Sequence, residues 1–476
     1  MTAEQSSPRG EAAGPAAVDP QTVGMKTLLI LGASGDLTHR LLLPGLGSLL
    51  TCGHGEGLKL VGSGMDDWDD ETWRATITSS FEKAKASGDA VESVKRKARY
   101  RKADVTAPDD LTGLLGMCEP PVAIFFALPP AVTAKTCQAL TKVELPTGTR
   151  FVMEKPFGTD ETSARTLNRL VTRLVPEDHV HRVDHFLGKS TVLNIVGTRF
   201  ANRLLEPVLN SQHVASVDIV FDESLGLEGR AGYYDHAGAL VDMIQSHLLQ
   251  VLSLLAMEPP PTLSASDVRD RKAHVLRATK VWDDDPVANS RRARYTTGEI
   301  DGRQLPSYVD EKGVDPAGNT ETLAEVVLEI DNWRWAGVPF RLRSGKALAR
   351  PRKEGVVTFK RAPRVPAGLR GDAQPDRLRI GFGPDTMSLD LNINGPADPF
   401  VIETATLSTD FAPGELTAYG EVLLGVLEAD PTLSVRGDTA EQCWRIVQPV
   451  LDAWRRDDVP MEEYPAGSEG PKGWPA

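Results

Sequence analysis

Short apolar runs alternate with amphipathic segments over the first part of the chain. Four of these runs cover residues 26–31, 58–62, 123–130 and 149–158. Each ends at or just before a glycine or proline, which is typical of strands buried on both faces of a parallel sheet. The segment at residues 66–86 has an acidic first turn and predicts a helix. This alternation predicts a Rossmann-type, doubly wound parallel sheet over residues 25–185.

After about residue 185, apolar and polar residues alternate with a period of two. The clearest examples cover residues 215–224, 322–331 and 377–393. Such alternation is typical of strands with one solvated face, so we expect a large, mostly antiparallel sheet. Helices are predicted at residues 239–257, 414–429 and 439–454. The final residues, 460–476, contain several prolines and glycines and are expected to trail over the surface.

These patterns predict an α/β fold followed by an α+β fold. The first would be a dinucleotide-binding Rossmann domain at residues 25–185, and the second would span residues 186–476 with its large sheet and helices. Residues 1–24 are rich in Ala, Gly, Pro and Ser and lack the apolar core of a signal peptide. They are predicted to be a disordered tail.

Composition narrows the classes of protein to which the chain can belong. Its 476 residues are 41% hydrophobic and 25% charged, as in ordinary globular enzymes. The formal net charge of −13 argues against nucleic acid and anionic membranes as partners. Four scattered cysteines without metal-ligand spacing indicate a reducing compartment, so the cytoplasm is expected. No apolar run is expected to reach the length of a membrane span.

The first polar motif follows the first predicted strand. The string GASGDL occupies residues 32–37, and its glycines Gly32 and Gly35 allow a tight turn into a helix. In such a turn a pyrophosphate can accept hydrogen bonds from N–H groups at the helix start. Taken alone, the motif is equally compatible with any tight turn between a strand and a helix.

Two further motifs carry basic residues. Lys155, in the string EKPFG, follows a predicted strand at the edge where ligands of open α/β sheets bind, and Pro156 allows a cis peptide bond there. Asp184, His185 and Lys189 lie in one short segment, and a His beside a Lys suits a phosphate dianion. Taken alone, Lys155 is equally explained as a solvated lysine in a turn, and the segment with Asp184, His185 and Lys189 as a solvated charged loop.

Two motifs lie in the second part of the chain. Asp242 and His247 interrupt the apolar segment 239–257, where burial is costly unless the two groups are paired or used. On an α-helix they would lie roughly 140° apart and could flank one pocket. Lys346 follows a glycine at the end of a predicted strand, which by itself indicates an exposed basic strand end.

Together these motifs resemble the glucose-6-phosphate dehydrogenase family in order and spacing. The resemblance covers nearly all of residues 25–455. The strings that carry it are GASGDL, FALPP, EKPFG, RVDHFLGKS, RFANRLLEPVLN, GRAGYYDHAGALVDMIQSHLLQVLSLLAMEPP, DVRDRKAHVL and VPFRLRSGKAL. It implies hydride transfer from C1 of glucose 6-phosphate to NAD or NADP. It also implies that residues 186–476 bind the substrate and form a homodimer or homotetramer through their sheet.

The resemblance also assigns roles by position. His247 would be the general base and Asp184 would orient it. His185 and Lys189 would bind the substrate phosphate. The sugar hydroxyls would be bound by Lys155, Glu223, Asp242 and Lys346, with Lys155 also close to the nicotinamide. The dinucleotide turn would consist of Gly32, Ser34, Gly35, Asp36 and Leu37. No metal is expected.

One departure from the family pattern concerns the cofactor. Leu41 and Met65 stand where NADP-dependent members carry basic residues, and Asp66 and Asp67 follow. A 2′-phosphate needs Arg or Lys partners, so we predict that NAD is preferred, although Arg40 could take over this role. If Asp66 does not bind the cofactor, its expected role is that of N-cap of the helix at residues 66–86.

A second departure concerns the substrate. Phe186 replaces a tyrosine whose hydroxyl helps to bind phosphate, a loss of about 1–3 kcal/mol. Ser190 replaces a usual Glu, His236 and Ala237 replace an acidic–aromatic pair, and Pro351 stands at an expected basic position between Arg350 and Arg352. Two alternatives therefore stay open: a dehydrogenase of another hexose or hexose derivative, and a regulatory paralogue without catalysis.

Overall fold

The structure is a computed structural model that describes residues 24–412 and 414–474. The tail predicted for residues 1–24 lies outside this range except for Gly24.

Six parallel strands form the first sheet, in the order β3-β2-β1-β4-β5-β6. The strands are β1 (Thr27–Leu31), β2 (Lys59–Gly64), β3 (Arg99–Lys102), β4 (Val122–Phe126), β5 (Arg150–Met153) and β6 (Val180–Arg182). The helices between them are α1 (Leu43–Thr51), α2 (Asp70–Lys83), α3 (Asp89–Lys97), α4 (Pro108–Leu115), α5 (Pro130–Leu140) and α6 (Glu161–Leu174). The predicted Rossmann-type sheet is confirmed.

The apolar run of β1 is explained by its two buried faces. Leu28 and Ile30 enter one core and Leu29 and Leu31 enter another, so no position of the strand meets water. The strand order reverses between β1 and β4. Open α/β sheets bind ligands beyond the carboxyl ends of their strands at such a switch point.

The second sheet has ten strands and is mostly antiparallel, as predicted. Its order is β17-β16-β15-β14-β7-β13-β12-β9-β18, with β8 also paired to β12, and only β13–β7 and β18–β9 are parallel pairs. Its strands are β7 (Val214–Asp222), β8 (Thr279–Val281), β9 (Ser290–Thr296), β12 (Leu323–Ile330), β13 (Phe340–Gly345), β14 (Arg352–Phe359), β15 (Arg377–Gly381), β16 (Thr386–Asn394), β17 (Ile402–Asp410) and β18 (Met461–Pro465), while β10 (Gly298–Ile300) and β11 (Arg303–Leu305) form a separate hairpin. The helices in this second part of the chain are α7 (Ser190–Phe200), α8 (Ala231–Ala239), α9 (Leu249–Ala256), α10 (Ala265–Ala278), α11 (Ala418–Leu427) and α12 (Gly437–Arg455).

Three sequence predictions need correction. The segment at 461–465 does not trail over the surface, because it forms β18, which pairs with β9, and Tyr464 is buried. The expected solvated face is absent from β7 and β12, because Ala215 is the one exposed position in β7 and β12 has none. Asp66 does not cap α2, because the helix begins later and Asp69 accepts the hydrogen bond from the N–H of Thr72.

The helical run Ala231–Ala256 is largely buried in the hydrophobic core. By length and composition it could cross a membrane, contrary to the expectation that no run is long enough, but 83% of its most apolar window is buried inside the protein. Gly238 breaks the run with φ +65° and ψ 177°, and the N–H of Leu240 donates to Glu321 Oε1 at 2.9 Å. Residues Leu240–Leu248 then form a π-helix that continues into α9.

Helix α11 belongs by sequence to the second part of the chain but packs on the first. Its buried residues Tyr419, Leu423 and Val426 join the core that contains Leu28 and Ile30 of β1. The outer face of α1 is therefore covered by a helix more than 350 residues later in the chain.

Candidate active site

The glycine turn lies at the carboxyl end of β1, at the switch point of the first sheet. Gly32 has φ +89°, and a Cβ atom there would lie 2.1 Å from the carbonyl oxygen of Ala127, so a side chain does not fit. Ser34, Gly35, Asp36 and Leu37 continue the turn into the π-helical segment Thr38–Leu42 and α1. A glycine turn that opens a helix here fits the pyrophosphate of a nicotinamide dinucleotide.

His247 and Asp184 form a buried pair. The distance between His247 Nδ1 and Asp184 Oδ1 is 2.5 Å, and the same carboxylate oxygen accepts the N–H of Phe186 at 3.0 Å. Burial would raise the pKa of Asp184, but the positive charge that His247 carries when protonated and the hydrogen bond from its ring lower this pKa below its ordinary value. Burial lowers the pKa of His247, and Asp184 opposes this only in part. At neutral pH the pair is therefore a carboxylate beside a neutral imidazole.

The π-helix brings Asp242 and His247 onto one face. In an α-helix these residues would lie far apart around the axis, but residues five apart are stacked in a π-helix because its hydrogen bonds join i and i+5. The predicted separation of roughly 140° is therefore wrong, since it assumes α-helical geometry. The Asp242 carboxylate contacts Lys155, and the charge of Lys155 acts on the pKa of both Asp242 and His247.

Lys155 links the first sheet to this helix. It follows β5 with a cis bond to Pro156, and its Nζ atom donates to the carbonyl oxygen of Asp242 at 2.6 Å and to Asp242 Oδ1 at 2.9 Å. Burial would lower the pKa of Lys155, but the charge of Asp242 raises it above its ordinary value. Burial would likewise raise the pKa of Asp242, whereas Lys155 lowers it to about 2. Both groups are charged.

His185 and Lys189 lie beside the buried pair. The rings of His185 and His247 are 4.7 Å apart, and the ring of Phe186 stacks on His247 at 4.3 Å. Burial, and next the charge of His247 when it is protonated, lower the pKa of His185 to about 3, so this imidazole is neutral. Lys189 Nζ lies 4.6 Å from the Phe186 ring and donates to the carbonyl oxygen of Phe382 at 3.0 Å.

Glu223 and Lys346 meet at the carboxyl ends of β7 and β13. Lys346 Nζ donates to Glu223 Oε2 at 2.9 Å, and Lys353 Nζ on β14 approaches Glu223 Oε1 at 3.4 Å. Burial would raise the pKa of Glu223, but Lys346 and then Lys353 lower it. Lys353 was missed, although it lies two positions after Pro351 in sequence, a spacing that places two residues on the same face of a strand.

Glu154 and Tyr419 were also missed. Tyr419 donates its hydroxyl to Glu154 Oε1 at 3.1 Å, and its ring stacks on His185 with centroids 5.9 Å apart. Burial raises the pKa of Glu154 to about 7, against the opposing hydrogen bond from Tyr419. Glu154 precedes Lys155 in the EKPFG string and could have been found there, whereas no local signal marks Tyr419.

The two positions that would be basic in an NADP-dependent enzyme are apolar and exposed. The side chains of Leu41 and Met65 are exposed near the carboxyl end of β2. Arg40 donates to Asp36 at 3.1 Å, and Lys102 donates to Asp67 at 3.3 Å, both on the surface. Arg40 and Lys102 therefore already have acidic partners.

The structure brings together the residues predicted for the reaction. The site that they form by mutual contacts and charge effects, called the cleft below, consists of Lys155, Asp184, His185, Lys189, Glu223, Asp242, His247 and Lys346. Within the described ranges, no group of three or more His, Cys, Asp or Glu side chains is placed to hold a metal ion. The arrangement offers a neutral base oriented by a carboxylate, with several cations near it.

Two sequence profiles match the chain in succession. The one described as "Glucose-6-phosphate dehydrogenase, NAD binding domain" matches residues 29–194. The one described as "Glucose-6-phosphate dehydrogenase, C-terminal domain" matches residues 196–475. Between them they account for nearly all of the described residues.

Individual relatives agree with these profiles. A glucose-6-phosphate 1-dehydrogenase of Gluconobacter oxydans is 38% identical over 463 residues, which cover 93% of this chain and 94% of the relative. Its counterpart in Zymomonas mobilis is 34% identical over 468 residues, 94% of this chain and 96% of the relative. A solved structure titled "Glucose-6-phosphate dehydrogenase in complex with its substrate glucose-6-phosphate" has a TM-score of 0.85 at 30% identity and covers 94% of this chain and 96% of its own.

Proposed function

The chain belongs to the glucose-6-phosphate dehydrogenase family, and on this premise we propose how its residues oxidise glucose 6-phosphate at C1 and why NAD is preferred to NADP. The enzyme is an NAD(P)-dependent oxidoreductase that acts on a CH–OH group. A nicotinamide dinucleotide, when bound, accepts the hydride from C1. The observation that carries the assignment of residues is the buried contact between His247 and Asp184.

His247 is the general base in this proposal. Since its Nδ1 faces Asp184, the neutral ring carries its proton there and leaves Nε2 to accept the proton of the C1 hydroxyl. Asp184 keeps this tautomer and stabilises the imidazolium that forms. The lowered pKa of His247 supports the role, because the ring is free of a second proton at neutral pH.

The ion pairs around the base bind the sugar. Lys155 with Asp242, and Lys346 with Glu223, offer donors and acceptors in fixed orientation to the hexose hydroxyls. His185 and Lys189 bind the phosphate, with the neutral His185 ring as a hydrogen-bond donor and Lys189 as a charge. Tyr419 and Glu154 position His185 from the opposite side.

The preference for NAD rests on the exposed end of the glycine turn. Leu41 and Met65 offer no donor to a 2′-phosphate, and Arg40 would have to leave Asp36 to supply one. Surface pairs of this kind are weak, so NADP is expected to be used, but less well than NAD. The nearby carboxylates Asp66 and Asp67 add repulsion.

The test is the initial rate of nicotinamide reduction on glucose 6-phosphate, with NAD and NADP compared in the same buffer. We expect a higher kcat/KM with NAD, and we expect Met65→Arg to lower the KM for NADP about ten-fold.

His247→Asn should lower kcat about 10²–10⁴-fold. Turnover of another hexose but not of glucose 6-phosphate would support the alternative substrate, and an inactive wild type would support the regulatory paralogue.

The same premise leads to proposals about assembly and location. We propose a homodimer or homotetramer formed through the second sheet, whose outer hairpin β16–β17 exposes Ile393 and Leu407. The mass in solution, measured by light scattering, tests this assembly. The cytoplasm remains the expected location, because the four cysteines of the chain are unpaired thiols.

A further inference from the structure

A cavity of about 520 Å³ opens between Lys189, Glu223 and the turn at Phe382–Pro384. Lys353 also lines it, and its side chain extends from β14 towards the same space as that of Lys189. Pro351, where the family resemblance expects a basic residue, lines the cavity as well but carries no donor. The cavity adjoins the buried His247–Asp184 pair through Phe186.

Positive charge exceeds negative charge around this cavity. Lys353 lies close enough to Lys189 that, after burial, its charge is the next cause lowering the pKa of Lys189. Glu223 is shared between Lys346 and Lys353, at 2.9 and 3.4 Å. Asp385, the other carboxylate, accepts hydrogen bonds from the hydroxyls of Ser190 and Thr191. Two ammonium groups and one carboxylate therefore line the cavity, and with the adjacent Lys346 and Asp385 the excess of positive charge is kept, which favours binding of an anion.

Two aromatic rings hold the ammonium groups in place without neutralising them. Lys189 Nζ lies 4.6 Å from the centre of the Phe186 ring, and Lys353 Nζ lies 4.5 Å from that of Phe221. The two rings are in edge contact at 5.1 Å. A ring face attracts a cation but accepts no strong hydrogen bond, so the N–H donors remain available to a ligand.

We propose that Lys353 is a phosphate-binding residue of this enzyme and that it supplies the charge which neither Pro351 nor Phe186 provides. When a phosphate enters, Lys353 exchanges its longer contact with Glu223 for a phosphate oxygen, while Lys346 keeps its hold on Glu223. This inference rests on the proposed function, because the phosphate is that of the hexose substrate. It also explains how a site that lacks two expected donors can still bind a dianion.

The test compares Lys353→Met with the wild-type enzyme in steady-state kinetics. We expect the KM for glucose 6-phosphate to rise about ten-fold or more with little change in kcat. The inhibition constant of inorganic phosphate, a competitor for the same cavity, should rise in parallel. Lys353→Arg should restore most of the affinity, because it keeps the charge and the donors. Thermal unfolding of each variant shows whether the fold is retained.

Lys360→Met is the matched control. Lys360 directly follows β14, but its Nζ atom donates to the carbonyl oxygen of Ser211 on the surface, so its removal should leave both constants unchanged. An unchanged KM in Lys353→Met would overturn this inference and leave the proposed function intact. A higher KM with an unchanged phosphate inhibition constant would also overturn it, since the effect would then be structural. A wild type that does not oxidise glucose 6-phosphate would instead overturn the proposed function.

Discussion

At the scale of single residues, the pKa values of His247 and Asp184 are both lowered, and both shifts prepare His247 to act as a base. Burial opposes ionisation of Asp184, but the hydrogen bond from His247 helps to keep its pKa low, and burial lowers the pKa of His247 and keeps the ring neutral. A base has to be free of its proton before the reaction, and the neutral ring meets this condition at the pH of a cell. Lys155 contributes as well, because its positive charge further disfavours the imidazolium.

The pH dependence of kcat/KM should show this directly. Protonated His247 cannot accept the proton of the C1 hydroxyl, so kcat/KM should fall as pH falls through the lowered pKa of His247, with a midpoint below about 6.5. Asp184→Asn removes the carboxylate that raises this pKa, so the acid limb should move to still lower pH and the rate should fall about 10²-fold or more. A midpoint above neutral pH, or one that Asp184→Asn leaves in place, would contradict the assignment.

At the scale of elements, the break at Gly238 and the π-helix after it determine where Asp242 and His247 are directed. The break ends α8, and Glu321 then accepts the N–H of Leu240 and so fixes the start of the π-helix. Within the π-helix, residues five apart share a face, which gives the acid and the base a common cleft. An α-helix of the same sequence would separate them.

Substitution of Gly238 tests this role of the break. A Cβ atom would lie 2.4 Å from Glu321 Oε1, and φ +65° with ψ 177° is a conformation that only glycine adopts readily. Gly238→Ala should therefore destabilise the protein by about 1–3 kcal/mol and lower kcat. The matched control is Gly232→Ala in α8, where a Cβ atom meets no neighbour within 4 Å. Equal thermal midpoints and equal rates for the two variants would refute the role of the break.

At the scale of the whole molecule, the first sheet is completed by the end of the chain. The core on one side of β1 contains Leu46 of α1 together with Tyr419 and Leu423 of α11. The same Tyr419 reaches Glu154 and His185 in the cleft. Packing of α11 therefore stabilises the dinucleotide-binding sheet and shapes the site between the two sheets at once.

Truncation of one α11 side chain should be felt in the first sheet. Leu423→Ala removes a fully buried side chain and should cost about 2–5 kcal/mol. Hydrogen exchange followed by mass spectrometry should show faster exchange in α1, although α1 is remote in sequence. Glu415→Ala, on the exposed turn before α11, is the control and should change neither property. Faster exchange confined to α11 itself would argue against the shared core.

The sequence determined most of the secondary structure and the chemical identity of the site. Buried strands such as β1 carry their signal locally, because both of their faces must be apolar, and the alternation in β7 and β12 marks them as strands of the second sheet. The motifs around Lys155, Asp184 and His247 likewise lie in short continuous segments. Their residue types and order were sufficient to predict the family and the reaction, which the comparisons confirm.

Only the tertiary structure decided how these residues meet. Residues Leu240–Leu248 form a π-helix whose first N–H donates to Glu321, 81 residues later, so a local periodicity argument that assumed an α-helix used the wrong angle. Tyr419 and Lys353 enter the cleft from α11 and β14, and no local pattern records which distant element a side chain will touch. Strand β18 was mistaken for a surface tail for the same reason, since its burial comes from pairing with β9, a contact between segments remote in sequence.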